Sequence, residues 1–545
     1  MNLMSIMMYL MIIMLIPMTL MMIMMNMFIL FKINLLNMGP LMISIDMMMD
    51  WMSLLFLITV IMISSTIIMF SKYYIPKKEQ NQFMLMLLMF VLSMSILILS
   101  NNLFLMLLGW DGLGLSSYIL VVYYQNASSA SSGTITILTN RIGDILILLS
   151  MSMIMLTSNW SFNLNKEFST IVMIMLVMAA CTKSAQFPFS AWLPMAMAAP
   201  TPISALVHSS TLVTAGVFML LRIMNIIHPM SMIILMIIAS STAIYSSMSA
   251  NWEQDLKKII ALSTLSQIAM MMFAISLNSM ILAYLHLIIH ALFKSTMFLC
   301  AGIMIHESSY QDMRMMGLNF LNSPLTLSIL GINSMALMGI PFMSGFFSKD
   351  AIIENLISSK LNMMMSILMI MSIGMTASYS IRMSISSNNS YMKNMPMLSN
   401  HQNLQSFIPI SMLSVFAITS GSWMNWLMLP ENSFMMNYEE KLYIITILIM
   451  GLLLGFLMQY KNVIYMKMGV SSISLWFTHF ISVSPTMFLS PIMQVYHNND
   501  KKWQESYGPH NSYMMLKLLS KTPESFKSSL MMIITMVVLI PMLIM

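Results

Sequence analysis

The chain has 545 residues, of which 59% are hydrophobic and only 8% charged, with a net charge of +6 at neutral pH. That balance excludes a soluble globular protein and a disordered chain, and the cations are too scattered for a nucleic-acid surface. A polytopic membrane protein remains. Seventy-nine methionines stand largely where Leu or Ile would serve, which points to a biased genetic system such as an AT-rich mitochondrial genome that reads an extra codon as Met.

The first apolar run, 4–31, has no basic flank or small-residue cleavage site, so it reads as a retained span and not a signal peptide. No Arg precedes Arg141. An Arg-rich transit peptide is therefore not expected, which suits a chain made inside the organelle that uses it. Further runs of about 18–25 residues, enough to cross a hydrocarbon core of about 30 Å, fall near 50–71, 83–101, 102–124, 132–157, 169–187, 203–224, 230–250, 258–277 and 279–305. Others lie near 324–343, 347–358, 361–387, 405–428, 440–459, 471–490 and 528–545. Some are half-helices or surface segments, so the expected fold is an all-α polytopic membrane protein with about 15–16 transmembrane helices.

Polar residues inside the spans carry the chemical information, because a charged side chain at the bilayer centre costs at least about 2.5–3.5 kcal/mol. Asp111 lies among glycines and serines in Leu107-Leu-Gly-Trp-Asp-Gly-Leu-Gly-Leu-Ser-Ser-Tyr118, which permits close helix approach. Arg141 and Asp144 stand at i,i+3 and share a helix face, as a structural ion pair or as part of a functional site. The stretch from Cys181 to His208 then interrupts an apolar run with Lys183, Pro188, Pro194, Pro200 and Pro202. Broken helix survives at membrane depth only where its freed backbone groups are satisfied within protein or along a wet cavity, so this stretch is expected to line an ion path.

Lys257 and Lys258 open a span, where lysines either snorkel to the interface or turn inward. His286, His290 and Lys294 fall at i, i+4 and i+8, one polar stripe on an apolar helix. A metal site is the alternative for the two histidines, but no third ligand is evident and a cation shares the stripe; proton relay fits better. Gly339, Pro341 and Gly345 break a second helix just before Lys349 and Asp350, and two such breaks suggest an inverted-repeat transporter. The expected divisions are N-terminal spans at 1–82, antiporter-like halves at 83–250 and 251–390, C-terminal spans at 391–490, and a lateral amphipathic helix with a terminal anchor span at 491–545. Trp503 and Tyr507 are one turn apart in the polar segment and suit a membrane surface.

These motifs, with Asn140-Arg-Ile-Gly-Asp, Lys183-Ser-Ala-Gln-Phe-Pro-Phe-Ser-Ala-Trp-Leu-Pro, Ala199-Pro-Thr-Pro-Ile-Ser-Ala-Leu-Val-His and Gly345-Phe-Phe-Ser-Lys-Asp, resemble the chain 5 family of NADH-ubiquinone oxidoreductase. That family is the mitochondrially encoded, antiporter-like subunit of respiratory complex I. The likeness is specific from about 50 to 350. It implies a multi-pass protein of the mitochondrial inner membrane that translocates protons beside other antiporter-like subunits and binds no cofactor itself. NADH, FMN, iron–sulfur clusters and ubiquinone would sit in other subunits of the complex, and no nucleic acid is implied.

The resemblance further implies that Asp111 pairs with Lys183 and that His208, Lys257, His286, His290 and Lys294 continue a path to Lys349 and Asp350. Many relatives carry Glu where this chain has Asp111, and the N-terminus looks short by about one span. A stand-alone cation/proton antiporter is the alternative, from which the C-terminal lateral segment would distinguish it.

Overall fold

In the computed structural model, the residues described are 2–38, 41–154, 160–162, 168–223, 228–316, 323–358, 363–388, 404–428, 438–458, 469, 471, 478–504, 508–521, 531–535 and 537. They form two units, 1–476 and 477–545. Among them, eleven helices are long and apolar enough to cross a membrane, and three shorter apolar helices accompany these.

The N-terminal helix α1 (Asn2–Met25) is shorter than the 4–31 span read from hydropathy. After Asn26, which takes a left-handed φ of 47°, the chain forms an antiparallel hairpin of β1 (Ile29–Met38) and β2 (Leu41–Met49). Alternation explains the difference: Ile43-Ser44-Ile45-Asp46 has the period of two that a strand requires, and Lys32 stands opposite Asp46, Asn34 opposite Ser44. Among the described residues, one two-stranded sheet thus accompanies the helices. Asn102 ties it down by donating to the Ser44 carbonyl at 2.9 Å.

The next helices are α2 (Trp51–Tyr74), α3 (Gln80–Leu99), α4 (Leu103–Val121), α5 (Ala127–Ile154) and α6 (Thr170–Lys183). A capping box starts α2, with the Asp50 amide donating to Ser53 Oγ at 2.8 Å. Spans this rich in Ser and Thr are tolerable in an apolar setting because the hydroxyls return to their own helix. Ser64, Ser65 and Thr66 donate to the carbonyls of Ile61, Met62 and Ile63 at 2.8–2.9 Å.

The first expected break is present, since α6 ends at Lys183 and the chain takes an irregular path to α7 (Thr201–Ile223). Over Ser204–Thr211, α7 winds as a π-helix. Its hydroxyls fill the widened turns: Thr211 Oγ1 donates to the Leu206 carbonyl at 2.7 Å and Ser210 Oγ to that of Ala205 at 3.4 Å, each five residues back. Such π-turns concentrate at functional sites.

Three helices follow, α8 (Pro229–Trp252), α9 (Leu256–Ser276) and α10 (Met280–Ser308). Together, α7, α9 and α10 form the interior of the unit, almost entirely shielded by the rest. The second break separates α11 (Pro324–Met338) from α12 (Ser344–Ser358). Gly339 ends α11 with φ +83°, and Gly345 lets α12 approach so closely that a Cβ there would meet the Ala336 carbonyl oxygen at 2.0 Å. The unit continues through α13 (Met363–Ser387), α14 (Leu404–Met428) and α15 (Tyr438–Leu457).

In the second unit, α16 (Thr478–Asn498) runs through the expected boundary between a span ending at 490 and a lateral helix beginning at 491. A π-helical stretch, Asn499–Gln504, and α17 (Pro509–Lys521) follow. Tyr507 and most of the expected final span, 528–545, lie outside the described residues.

Candidate functional site: a buried polar spine

Most of the polar residues singled out in the spans gather in the interior, whereas the side chains of Asp111 and Arg141 remain 37% and 46% exposed. Lys183, His290 and Lys294 are fully buried, and His208, His286, Lys257 and Lys349 are nearly so. Asp350, one residue past Lys349, is half-buried.

At one end, Lys183 closes α6 and points at α4. Its ammonium donates to the main-chain carbonyl of Trp110 and lies 4.2 Å from the centre of that indole. The neighbouring carboxylate goes elsewhere, because Asp111 Oδ1 and Asp144 Oδ2 each accept from the same nitrogen, Nη1 of Arg141, at 3.2 Å. The expected direct pair of Asp111 with Lys183 is thus replaced by a triad in which Arg141 holds both aspartates. The physical reason is reach: Asp is one methylene shorter than Glu, and a guanidinium offers several donors to two acceptors. The aspartates still lie within electrostatic range of Lys183. Asp144 is mostly buried and its Oδ1 has no hydrogen-bond partner among the described residues.

His208 sits in the π-helical part of α7, its ring centre 6.1 Å from that of Trp192. Trp192 Nε1 in turn donates to the Thr182 carbonyl at 3.0 Å, beside Lys183. Neither ring nitrogen of His208 or of His290 finds a partner among the described residues, although both rings are buried.

The two lysines that open α9 divide between their two readings. Lys257 turns inward and donates to the Ala199 carbonyl at 3.2 Å, capping the irregular stretch after the first break. Lys258 stays partly exposed and pairs with Asp255 at 2.8 Å.

Further along, side chains connect directly. Lys294 Nζ donates to Ser263 Oγ at 2.5 Å, and Ser266, one turn on, hydrogen-bonds the Tyr379 hydroxyl at 3.3 Å. His286 is held on both sides, with Nε2 3.1 Å from Gln267 Oε1 and Nδ1 2.9 Å from Ser348 Oγ. Both ring nitrogens are thus engaged by protein groups, and among the described residues no group of three or more His, Cys, Asp or Glu is placed to hold a metal. Lys349, next to Ser348, donates to Thr376 Oγ1 at 2.8 Å and to the Met338 carbonyl at 3.1 Å, satisfying the broken end of α11. Five helices therefore meet around His286 and Lys349: α9, α10, α11, α12 and α13.

Ser263, Gln267, Ser348, Thr376 and Tyr379 belong to this spine and were not singled out from sequence. Of these only Gln267 carried a signal, an uncharged amide in the middle of an apolar span. A second missed feature is the ion pair between Arg222 Nη1 and Asp50 Oδ2, 2.5 Å long, which joins the end of α7 to the cap of α2.

Two broken helices, each with a buried lysine beside the break, and a polar spine through the interior define an antiporter-like membrane subunit. Family models agree: residues 100–376 match the "NADH:quinone oxidoreductase/Mrp antiporter, TM" family, and 379–545 match "NADH dehydrogenase subunit 5 C-terminus". The chain is similar to proteins called NADH-ubiquinone oxidoreductase chain 5. It is 39% identical to that of Aedes aegypti, over 91% of this chain and 89% of the relative. It is 36% identical to that of Lumbricus terrestris, over 93% and 94%. In fold it is similar to a chain in the structure of the Mrp complex from Dietzia sp. DQ12-45-1b, with a TM-score of 0.72 at 20% identity, covering 90% of this chain and 57% of that one. The chain belongs to the NADH-ubiquinone oxidoreductase chain 5 family.

Proposed function

We propose that the buried spine from Lys183 through His208, Lys257, Lys294, His290 and His286 to Lys349 and Asp350 carries protons, with Asp111, Arg141 and Asp144 setting the charge at its first end. As a member of the chain 5 family, the protein is a proton-translocating core membrane subunit of the NADH:ubiquinone reductase complex, and its own part is the movement of protons and not redox chemistry. The match of residues 379–545 to the subunit 5 C-terminus favours this over the stand-alone antiporter of the same fold.

One observation supports the reading above others: His286 bridges Gln267 and Ser348 between two buried lysines, Lys294 eight residues on in the same helix and Lys349 beside Ser348. A neutral imidazole can accept a proton at one nitrogen and release one at the other, and its neighbours here are hydrogen-bonding groups on both sides. The buried rings of His208 and His290 lack protein partners, and polar groups in that position are ordinarily met by water, which would complete the links that side chains leave open.

The same reading extends to the whole molecule. Residues 83–250 and 251–390 act as two antiporter-like halves, each with its own break and lysine, between N-terminal spans and C-terminal spans. The segment 491–545 lies along neighbouring antiporter-like subunits of the complex and braces them. NADH, FMN, iron–sulfur clusters and ubiquinone are bound by other subunits, and the chain works in the mitochondrial inner membrane.

The test is to count protons translocated per NADH oxidised in sealed vesicles containing the assembled complex with Lys294→Met. The change removes a titrating group at nearly constant volume, so assembly is expected to persist while the proton count falls. An unaltered count in a fully assembled complex would falsify the relay.

A further inference from the structure

Where α3 begins and α4 ends, a cleft of about 510 Å³ opens between the helices, lined by Glu79, Gln82, Tyr118, Tyr123, Tyr124 and Gln125, with Met86 and Ile119 below them. That volume lies in the range of small-ligand sites. The proton spine does not use it. Tyr123 Oη donates to Glu79 Oε2 at 2.5 Å, so the carboxylate is fixed beside a ring, and the Tyr123 and Tyr124 rings meet edge-on with centres 5.6 Å apart. Phe83 braces Tyr123 from behind, 5.6 Å away. A carboxylate bordered by tyrosine rings is suited to an organic ammonium, which gains ion pairing and, over an open ring face, cation–π attraction.

Two further features say what carries that ammonium. Lys77 and Lys78 are exposed on the turn that leads into Glu79, a turn closed by the Glu79 amide donating to the Pro76 carbonyl at 3.0 Å. They offer positive charge to a phosphate at the rim. Below the cleft, Leu85, Met89 and Leu92 of α3 and Leu115 and Ile119 of α4 are all exposed, an apolar strip running from the cleft along the spans. Ammonium, phosphate and acyl chains are joined in one phospholipid, whose headgroup can lie along the membrane surface and so present ammonium and phosphate to adjacent residues such as Glu79 and Lys77 and Lys78. Tyrosines at the ends of spans lie at the depth of that headgroup.

The geometry points to a built site for one zwitterionic phospholipid, its ammonium held by Glu79, Tyr123 and Tyr124, its phosphate at Lys77 and Lys78, and its chains along α3 and α4.

The test uses the assembled complex, stripped of lipid in detergent and then exposed to vesicles of phosphatidylethanolamine and phosphatidylglycerol in equal parts, with bound lipid counted by mass spectrometry. Wild type is expected to retain phosphatidylethanolamine, and Glu79→Gln to lose it by about tenfold, the factor for one charge-assisted contact worth about 1.4 kcal/mol. Phosphatidylglycerol, which has no ammonium, should be retained equally by both. A phosphatidylethanolamine carrying a photoreactive group on its headgroup should label residues 118–125 in the wild-type complex, which removes any dependence on how the variant assembles. Equal phosphatidylethanolamine retention by both proteins overturns the site, as does labelling confined to other segments. Carbodiimide coupling of Glu79 to a lysine of a neighbouring subunit would also overturn it, by showing that a protein cation fills the cleft.

Discussion

Lys183 reaches α4 through the Trp110 main-chain carbonyl, one residue before Asp111, and the Asp111 carboxylate turns to Arg141 at 3.2 Å. The lysine is therefore tethered to a neutral acceptor while the negative charge near it is shared with a guanidinium. A small rotation of Arg141 or Asp111 would change the field at the ammonium without moving the helix. On the proposed reading, Arg141 therefore positions charge beside the lysine as well as pairing with the two aspartates.

Lys183→Met should assemble normally and pump poorly. Loss of a positioned proton carrier slows a transfer step by about 10²–10⁴-fold, and Met nearly preserves the buried volume. Asp111→Glu should leave pumping intact, since it adds reach without changing charge, whereas Arg141→Gln should alter pumping by freeing both aspartates. The measurement is protons per NADH in sealed vesicles, normalised to assembled complex; full pumping by Lys183→Met would remove that lysine from the path.

His286 allows structure and proton transfer to be separated. In His286→Gln the amide can keep hydrogen bonds with Gln267 and Ser348 but cannot titrate, so a native gel should show wild-type assembly while proton translocation slows. In His286→Leu the partners are stranded, and each unsatisfied buried polar group costs about 1–3 kcal/mol, so the amount of assembled complex should fall. Wild-type pumping by the Gln variant would show that His286 is only a packing bridge.

Gly345 and Gly114 give opposite expectations for the same change. An added Cβ at Gly345 would stand 2.0 Å from the Ala336 carbonyl oxygen, backbone that cannot step aside, while at Gly114 nothing lies within 4 Å. Overpacking of this kind costs about 1–3 kcal/mol, so Gly345→Ala should lower the thermal midpoint of the purified complex's membrane arm. Gly114→Ala should leave it unchanged or raise it slightly, by the usual helix preference of about 1 kcal/mol for Ala over Gly. Equal midpoints for the two variants would mean that α11 and α12 do not pack as closely as described.

The motifs bearing Asp111, Lys183, His286 and Lys294 were legible because charge inside an apolar run is costly and so stands out against it. The breaks were legible for a similar reason, since Pro and Gly interrupt helix wherever they occur. Ser263, Ser348 and Thr376 were not, because serine and threonine recur throughout these spans and most of them bond only to their own helix, as Ser64 and Ser65 do. The hairpin at 29–49 was missed because a strand of Ile, Leu and Phe passes for the tail of a span when the alternation lies mainly on its partner strand. Pairings across long separations had no sequence signal: nothing near Asp111 indicates that Arg141 holds it.

Asp50 and Arg222 illustrate the last point and supply a sharp test. They lie 172 residues apart in sequence, yet Nη1 and Oδ2 are 2.5 Å apart where α2 begins and α7 ends, and both side chains are largely withdrawn from solvent, 18% and 9% exposed. Phe218 packs beneath the guanidinium at 5.2 Å, and Tyr284 donates to the Met52 carbonyl at 2.6 Å nearby, so the pair sits in a fixed corner. Removing one partner of a buried pair leaves the other charge uncompensated and costs about 3–5 kcal/mol. Asp50→Asn and Arg222→Gln should each therefore reduce assembled complex, and the double variant should recover part of the loss because two neutral amides can hydrogen-bond. The amounts are read on native gels, with NADH oxidation by the intact complex as the second readout. If the double variant is as poor as the sum of the single ones, the two side chains do not act as a pair, and the link between α2 and α7 must come from packing alone.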